Sequence, residues 1–101
     1  MKADKKRRLE AAGWKETSLQ EFLNLSDADI EYIEMKLALS RRLRQLRERR
    51  RLTQTKAAAL LNTSQSRLAR MEAGDPSVSL DLLVRGLFAL GASPRDLLKA
   101  A

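Results

Sequence analysis

The stretch Thr53–Glu72, TQTKAAALLNTSQSRLARME, decides the fold of this 101-residue chain. Thr53 and Ser64 each precede a run of helix-forming residues, and a hydroxyl at such a position accepts a hydrogen bond from the first helical turn. Between the two runs lies a short link, Asn62 and Thr63, and asparagine tolerates the left-handed backbone that a tight turn needs. Two short helices joined in this way are the geometry of a helix-turn-helix.

The two predicted helices pack against each other and leave one polar face. Ala58 is small, so the second helix can cross the first closely, and we expect Leu61, Leu68 and Met71 to fill the angle between them. The outer face of the second helix keeps side chains that can hydrogen-bond base edges and phosphates. These side chains are Gln65, Ser66, Arg67 and Arg70.

Helix signals continue on both sides of this stretch. Toward the N-terminus the sequence predicts a short basic helix over Asp4–Ala12, a second start at the capping box Ser18–Glu21, and a long helix from Ser26 to Arg50 or Arg51. No segment shows sustained alternation of apolar and polar residues, so we predict an all-α protein.

Toward the C-terminus two further helices are predicted. Ser79 begins the first, which ends before Gly91, and Ser93-Pro94 begins the second with an N-cap and a proline at the first helical position. The core-facing stripe of the first helix is Leu80, Leu83, Val84, Leu87 and Leu90.

The composition excludes several classes of protein. The chain has no cysteine and no histidine, so it lacks thiolate zinc ligands, cysteine nucleophiles and the commonest general base. It also has no glycine-rich phosphate loop and no apolar segment long enough for a membrane span. We therefore expect no enzyme activity, no cofactor, no metal and no membrane partner, and we expect a cytoplasmic protein.

The positive charge is concentrated in the middle of the chain. Residues 35–74 carry eleven basic and two acidic side chains, whereas residues 1–34 and 75–101 have net charges of −2 and zero. A basic block favours a polyanionic partner. The seven arginines of residues 41–51 also fit a solvated helix face, and we expect a minority of them to contact phosphates.

Residues 39–92 resemble the lambda-repressor-like, or XRE, family of helix-turn-helix proteins. The matching motifs are Leu52-Thr53-Gln54, Ser64-Gln65-Ser66 and Met71-Glu72-Ala73-Gly74, together with leucines at the family's spacing. The resemblance implies a transcriptional regulator, in most cases a repressor, that binds double-stranded operator DNA sequence-specifically.

The resemblance divides the chain into two parts. Residues 35–101 correspond to a lambda-repressor-like helix-turn-helix domain of about five helices. We expect residues 1–34 to form a short helical N-terminal extension that leads into the first long helix. This extension, the chain length and the segment Ser77–Leu83 are also similar to HigA-type antitoxins, which bind a ribonuclease toxin and repress their own operon. A ribonuclease-type toxin is therefore a second implied partner.

The resemblance also implies which residues bind DNA. The helix that begins at Ser64 lies in the major groove with Gln65, Ser66 and Arg70 nearest the bases, and Gln54 hydrogen-bonds a phosphate. The full predicted DNA-binding set is Gln54, Lys56, Ser64, Gln65, Ser66, Arg67 and Arg70.

Other matched positions have structural roles. The family forms an ion pair at the positions of Arg47 and Glu72, so we expect Arg47 to support the scaffold rather than to contact DNA. Three positions depart from the family pattern, because Arg51 and Asn62 replace glycines and Ala57 replaces a leucine.

A symmetric dimer is the expected assembly. One recognition helix distinguishes only a few base pairs, and family members pair two-fold to read two half-sites. Apolar residues beyond the core-facing stripe are candidates for a dimer or partner interface, although the N-terminal extension is an alternative cover for them. These candidates are Leu82, Phe88, Leu97 and Leu98.

Three alternative functions compete with DNA binding. The first is a protein-interaction module that uses the basic surface to bind an acidic protein. RNA binding is disfavoured because exposed aromatic pairs for base stacking are lacking. A membrane-surface helix over residues 41–51 is disfavoured because that segment has two leucines against seven arginines.

Overall fold

A computed structural model describes residues 23–100 of the chain. This part contains five α-helices and no strand, which confirms the all-α prediction for these residues. The predicted helix Asp4–Ala12 and the capping box Ser18–Glu21 lie outside the described residues. The helices are α1 (Asp27–Arg49), α2 (Gln54–Leu60), α3 (Gln65–Ala73), α4 (Leu80–Ala89) and α5 (Pro94–Ala100).

Each helix begins at a residue that the sequence marks as a cap. The hydroxyls of Thr53, Ser64 and Ser79 each accept a hydrogen bond of 3.1 Å from a backbone N–H three residues later. Ser26 and Ser93 form reciprocal capping boxes with the aspartates three residues on. These bonds satisfy donors that the first turn of a helix leaves without intrahelical partners, so the five starts follow from local chemistry.

A residue with left-handed backbone conformation follows each of the first three helices. Asn62 has φ +55°, as the turn chemistry of the sequence predicts, and Gly74 has φ +76°. Arg51 also has φ +56°, in a turn where Leu52 N–H donates to the Arg47 carbonyl. The geometry at Arg51 is thus the one that glycine favours, and an arginine adopts it at a strain of about 1–2 kcal/mol.

Met35–Ala101 forms one compact unit, and the core of this unit is aliphatic. The predicted α4 stripe is buried at Leu83, Leu87 and Leu90 and half-buried at Leu80 and Val84. Its partners in the core include Leu39 and Leu43 from α1, Ala57 and Ala58 from α2, and Leu68 and Met71 from α3. Among residues 23–100 no helix is long and apolar enough to cross a membrane.

Two small residues, one on α2 and one on α4, let neighbouring helices pack closely. Ala58 on α2 is buried, and α2 and α3 make the most extensive contact between any two of the described helices. On α4, a Cβ added at Gly86 would lie 3.0 Å from Leu61 Cδ2 and 3.1 Å from Met71 Cε. The angle of the helix-turn-helix therefore depends on the absence of bulk at these two positions.

The buried position of Ala58 gives a testable stability difference. Ala58→Leu should lower the free energy of unfolding by about 1–3 kcal/mol, because extra methylenes in a packed core force neighbouring side chains and helices apart. Ala59→Leu is the matched control, since Ala59 is exposed on the same helix and should change stability by less than about 0.5 kcal/mol. Urea unfolding followed by circular dichroism measures both, and equal effects would contradict the packing of α2 on α3.

Candidate nucleic-acid interface

The outer face of α3 presents polar side chains to solvent. Leu68 and Met71 are buried beneath the helix, and Ser64 at its N-cap accepts from Arg67 N–H. The side chains that the sequence assigns to base and phosphate contacts lie on the exposed remainder of the helix. They are Gln65, Ser66, Arg67 and Arg70, all four of which are exposed.

A nearly buried ion pair joins α1 to α3. Arg47 Nε lies 2.6 Å from Glu72 Oε2, and Arg47 Nη2 donates to Glu72 Oε1 at 3.1 Å, so the pair is bidentate. The side chains are only 13% and 4% exposed. The hydrogen bond to Glu72 raises the pKa of Arg47 above its ordinary value, against the opposing effect of burial. Arg47 Nη1 also donates to the Leu52 carbonyl at 2.8 Å, which ties the pair to the turn after α1.

The same carboxylate begins a chain of hydrogen bonds that reaches the surface. Gln54 Nε2 donates to Glu72 Oε1 at 3.2 Å, and Gln65 Nε2 donates to Gln54 Oε1 at 2.7 Å. A carboxylate only accepts, so the amide atom of Gln54 that faces Glu72 must be nitrogen. Its oxygen then faces Gln65, and the nitrogen of Gln65 must face that oxygen. Ion pair and amides thus fix the orientation of an exposed side chain on α3.

An open hollow of about 240 Å³ lies between α3 and the start of α4. Arg67 and Arg70 line it from α3, and Ser77 and Ser79 line it from the loop before α4. Ser77 N–H and hydroxyl both donate to the Asp75 carboxylate, and these bonds hold the pKa of Asp75 below its ordinary value. The hollow thus combines two guanidinium groups with the polar start of α4.

Ser77 and Ser79 are the residues that the sequence reasoning missed at this surface. The sequence indicates a helix start at Ser79, but nothing in the spacing of the two serines shows that the segment before α4 returns to α3. The available signal was the short distance along the chain between Gly74, which ends α3, and Ser79, which begins α4.

Comparison with known families agrees with this geometry. Residues 38–101 match the model of the family described as helix-turn-helix domain. The chain belongs to the helix-turn-helix domain family. Searches of curated proteins and of solved structures found no significant match. Membership of this family indicates a DNA-binding regulator.

The arginines at the end of α1 have different partners in the helix-turn-helix domain. Arg44 pairs with Glu48 on the helix surface, Arg47 pairs with Glu72, and Arg50 donates to the Leu90 carbonyl at 3.3 Å. Lys56, by contrast, lies exposed in the first turn of α2. The basic block is therefore partly scaffold and partly accessible charge.

The four interface candidates of the helix-turn-helix domain separate into two pairs. Leu82 and Leu97 are half-buried and pack against the core. Phe88 and Leu98 are 44% and 81% exposed. Only the second pair therefore offers apolar surface beyond what the core uses.

The bonds of Glu72 give a second stability prediction. Glu72→Ala should lower the free energy of unfolding by about 3–5 kcal/mol, because it leaves the Arg47 guanidinium buried without its partner. Glu48→Ala is the matched control, since it removes an exposed glutamate that also pairs with an arginine, and it should cost less than about 1 kcal/mol. Thermal unfolding of both variants tests this.

A second variant separates charge from hydrogen bonding. Glu72→Gln keeps an acceptor for Arg47 and removes the charge, so its stability should fall between those of Glu72→Ala and the native protein. A melting temperature of Glu72→Ala equal to that of Glu48→Ala would refute the buried pair.

Proposed function

We propose that this chain is an XRE-type transcriptional regulator, a repressor, that binds double-stranded DNA sequence-specifically with α3 in the major groove. The observation that carries the proposal is the fixed orientation of the exposed Gln65 amide. Gln65 donates a hydrogen bond to Gln54, and Gln54 in turn donates to Glu72, which is paired with Arg47. A side chain already fixed in one orientation loses little conformational entropy on binding, so it favours recognition of one base pair over others.

The orientation of Gln65 indicates which base it contacts. Its oxygen and its second amide hydrogen are left for the ligand, side by side. Adenine offers the complementary edge in the major groove, an N6 donor beside the N7 acceptor, whereas guanine offers two acceptors there. Gln65 therefore favours adenine at its position in the operator.

The surrounding polar groups supply phosphate contacts. Lys56 is exposed beside the start of α2, and Gln54 keeps a second amide hydrogen after its bond to Glu72. The hollow between Arg67 and the start of α4 suits a phosphate oxygen, because guanidinium donors and a helix N-terminus both favour negative charge. Arg70 also lines this hollow and stays assigned to the bases. These contacts position α3 without distinguishing sequences.

A two-fold dimer completes the proposed assembly. Phe88 on α4 and Leu98 on α5 are the exposed apolar residues that support an interface. The similarity to HigA-type antitoxins extends the proposal to a ribonuclease toxin as a second partner. A small basic ribonuclease encoded beside this gene would identify that partner.

The DNA proposal is tested by selecting preferred sites from a randomised duplex library and by titrating single-base variants of the selected site. Gln65→Ala should cost about 1–3 kcal/mol on the selected site and relax the preference at one base pair. Lys56→Ala is the matched control and should weaken all duplexes alike.

Salt titration of the same variants distinguishes the two kinds of contact. The log–log slope of affinity against salt should fall in magnitude by about 0.9 for Lys56→Ala, because one phosphate contact is lost, and should stay unchanged for Gln65→Ala. Selection of no sequence by the native protein would overturn the proposal, and an unaltered base preference in Gln65→Ala would remove Gln65 from the recognition surface.

The dimer is tested by sedimentation equilibrium at micromolar concentration. The native protein should sediment as a dimer, and Leu98→Ser should shift it toward monomer because an exposed apolar contact is removed. Leu60→Ser is the control, since Leu60 is exposed on α2. A native monomer that protects a single half-site on DNA would show the dimer to be wrong.

A further inference from the structure

An open groove lies on the side of α1 away from α3, and most of the side chains that line it are polar or positively charged. Three arginines in or directly after α1 are engaged, Arg44 by Glu48, Arg47 by Glu72 and Arg50 by the Leu90 carbonyl. Within residues 23–100, by contrast, the side chains of Arg41 and Arg42 form no hydrogen bond or salt bridge, although the charge of Arg42 attracts the Asp96 carboxylate.

These two arginines line an open groove of about 390 Å³ between α1 and α5. Lys99 adds a third cation from α5, and Asp96 is the single carboxylate of the lining. Asp96 accepts a hydrogen bond from Ser93 N–H in the capping box. The hydrogen bonding to Ser93 and the charges of Arg42 and Lys99 hold the pKa of Asp96 below its ordinary value, but within the described residues Asp96 forms no salt bridge with either cation. The groove therefore keeps an excess of positive charge. Its full lining is Ala38, Arg41, Arg42, Gln45, Asp96 and Lys99.

The groove lies apart from both surfaces proposed above. At 100° per residue, Arg41 and Gln45 are about 120° and 160° around α1 from Arg47, which faces α3. On α5, Leu98 is about 160° around the helix from Asp96. The groove therefore lies on a different side of α1 from Arg47 and on a different side of α5 from Leu98.

We propose that this groove binds an acidic polypeptide segment of a partner protein. Arg41, Arg42 and Lys99 would bind the segment's carboxylates, and Asp96 and Gln45 would accept hydrogen bonds from its backbone N–H groups. A polypeptide supplies both carboxylates and N–H donors, whereas a phosphodiester backbone supplies acceptors alone and would be repelled by Asp96. An open groove also leaves a small acid largely in water, which favours a longer chain that extends past its edges.

Fluorescence anisotropy with a labelled decaglutamate peptide tests the proposal on the full chain. The groove variant is Arg41→Gln with Lys99→Gln, and the matched control is Arg44→Gln with Arg85→Gln. Each double variant removes two exposed positive charges, and the control positions lie outside the groove on α1 and α4. The peptide should bind the groove variant roughly five- to tenfold more weakly than the native protein, and the control within about twofold of it.

The peptide is titrated with and without a saturating mixed-sequence DNA duplex. Peptide binding that persists on the DNA-bound protein supports a separate site, whereas displacement of the peptide by the duplex overturns it. Equal weakening in the two double variants also overturns the proposal, because it assigns the binding to overall charge. Two competitors complete the test, a ten-nucleotide RNA and millimolar glutarate. If either one displaces the labelled peptide more effectively than unlabelled decaglutamate does, the groove binds a different class of ligand and the proposal is overturned.

The titration without DNA keeps this test independent of the proposed regulator function. If the protein binds no duplex, the peptide affinities of the two double variants still decide whether the groove binds the peptide. The side-chain amide of Gln45, followed by nitrogen-edited NMR, locates the peptide directly, and an unchanged Gln45 resonance at saturation would place the peptide elsewhere.

Discussion

The bidentate pair of Arg47 and Glu72 is the interaction on which the rest of this domain depends. It joins α1 to the last turn of α3, and Arg47 also holds the Leu52 carbonyl in the turn that leads to α2. Glu72 accepts from Gln54 at the start of α2 as well. One nearly buried carboxylate therefore connects three helices, so the angle of the helix-turn-helix is set by polar bonds as well as by the aliphatic core.

Local chemistry made much of this fold predictable from the sequence. A cap hydroxyl and the N–H it accepts from are three residues apart, so the starts at Thr53, Ser64 and Ser79 follow from the order of residues alone. The left-handed turn at Asn62 follows in the same way. Arg51 shows the limit of this reasoning, because the bonds that end α1 impose a conformation that arginine does not favour.

Contacts between distant residues were less predictable. The ion pair was expected only because the residues match a family pattern, since 25 positions separate Arg47 from Glu72. The bond between Gln54 and Gln65 and the groove between α1 and α5 were not anticipated, because each depends on the angle at which two helices pack. The same limit applies to the four interface candidates, because the sequence alone does not show that Leu82 and Leu97 also pack against the core.

The connection between ion pair and surface amide couples stability to the proposed recognition. Replacement of a buried ion pair by apolar residues of similar volume is often neutral or stabilising in other proteins. Here the same replacement would remove the acceptor that keeps the nitrogen of Gln54 turned inward, and Gln65 would lose the partner that fixes its own amide. An apolar core at this position could therefore match the fold and still weaken base preference. The ion pair is therefore better understood as a determinant of side-chain orientation than as a source of stability. A carboxylate can only accept hydrogen bonds, so Glu72 sets the orientation of the Gln54 amide, and Gln54 in turn sets that of the Gln65 amide.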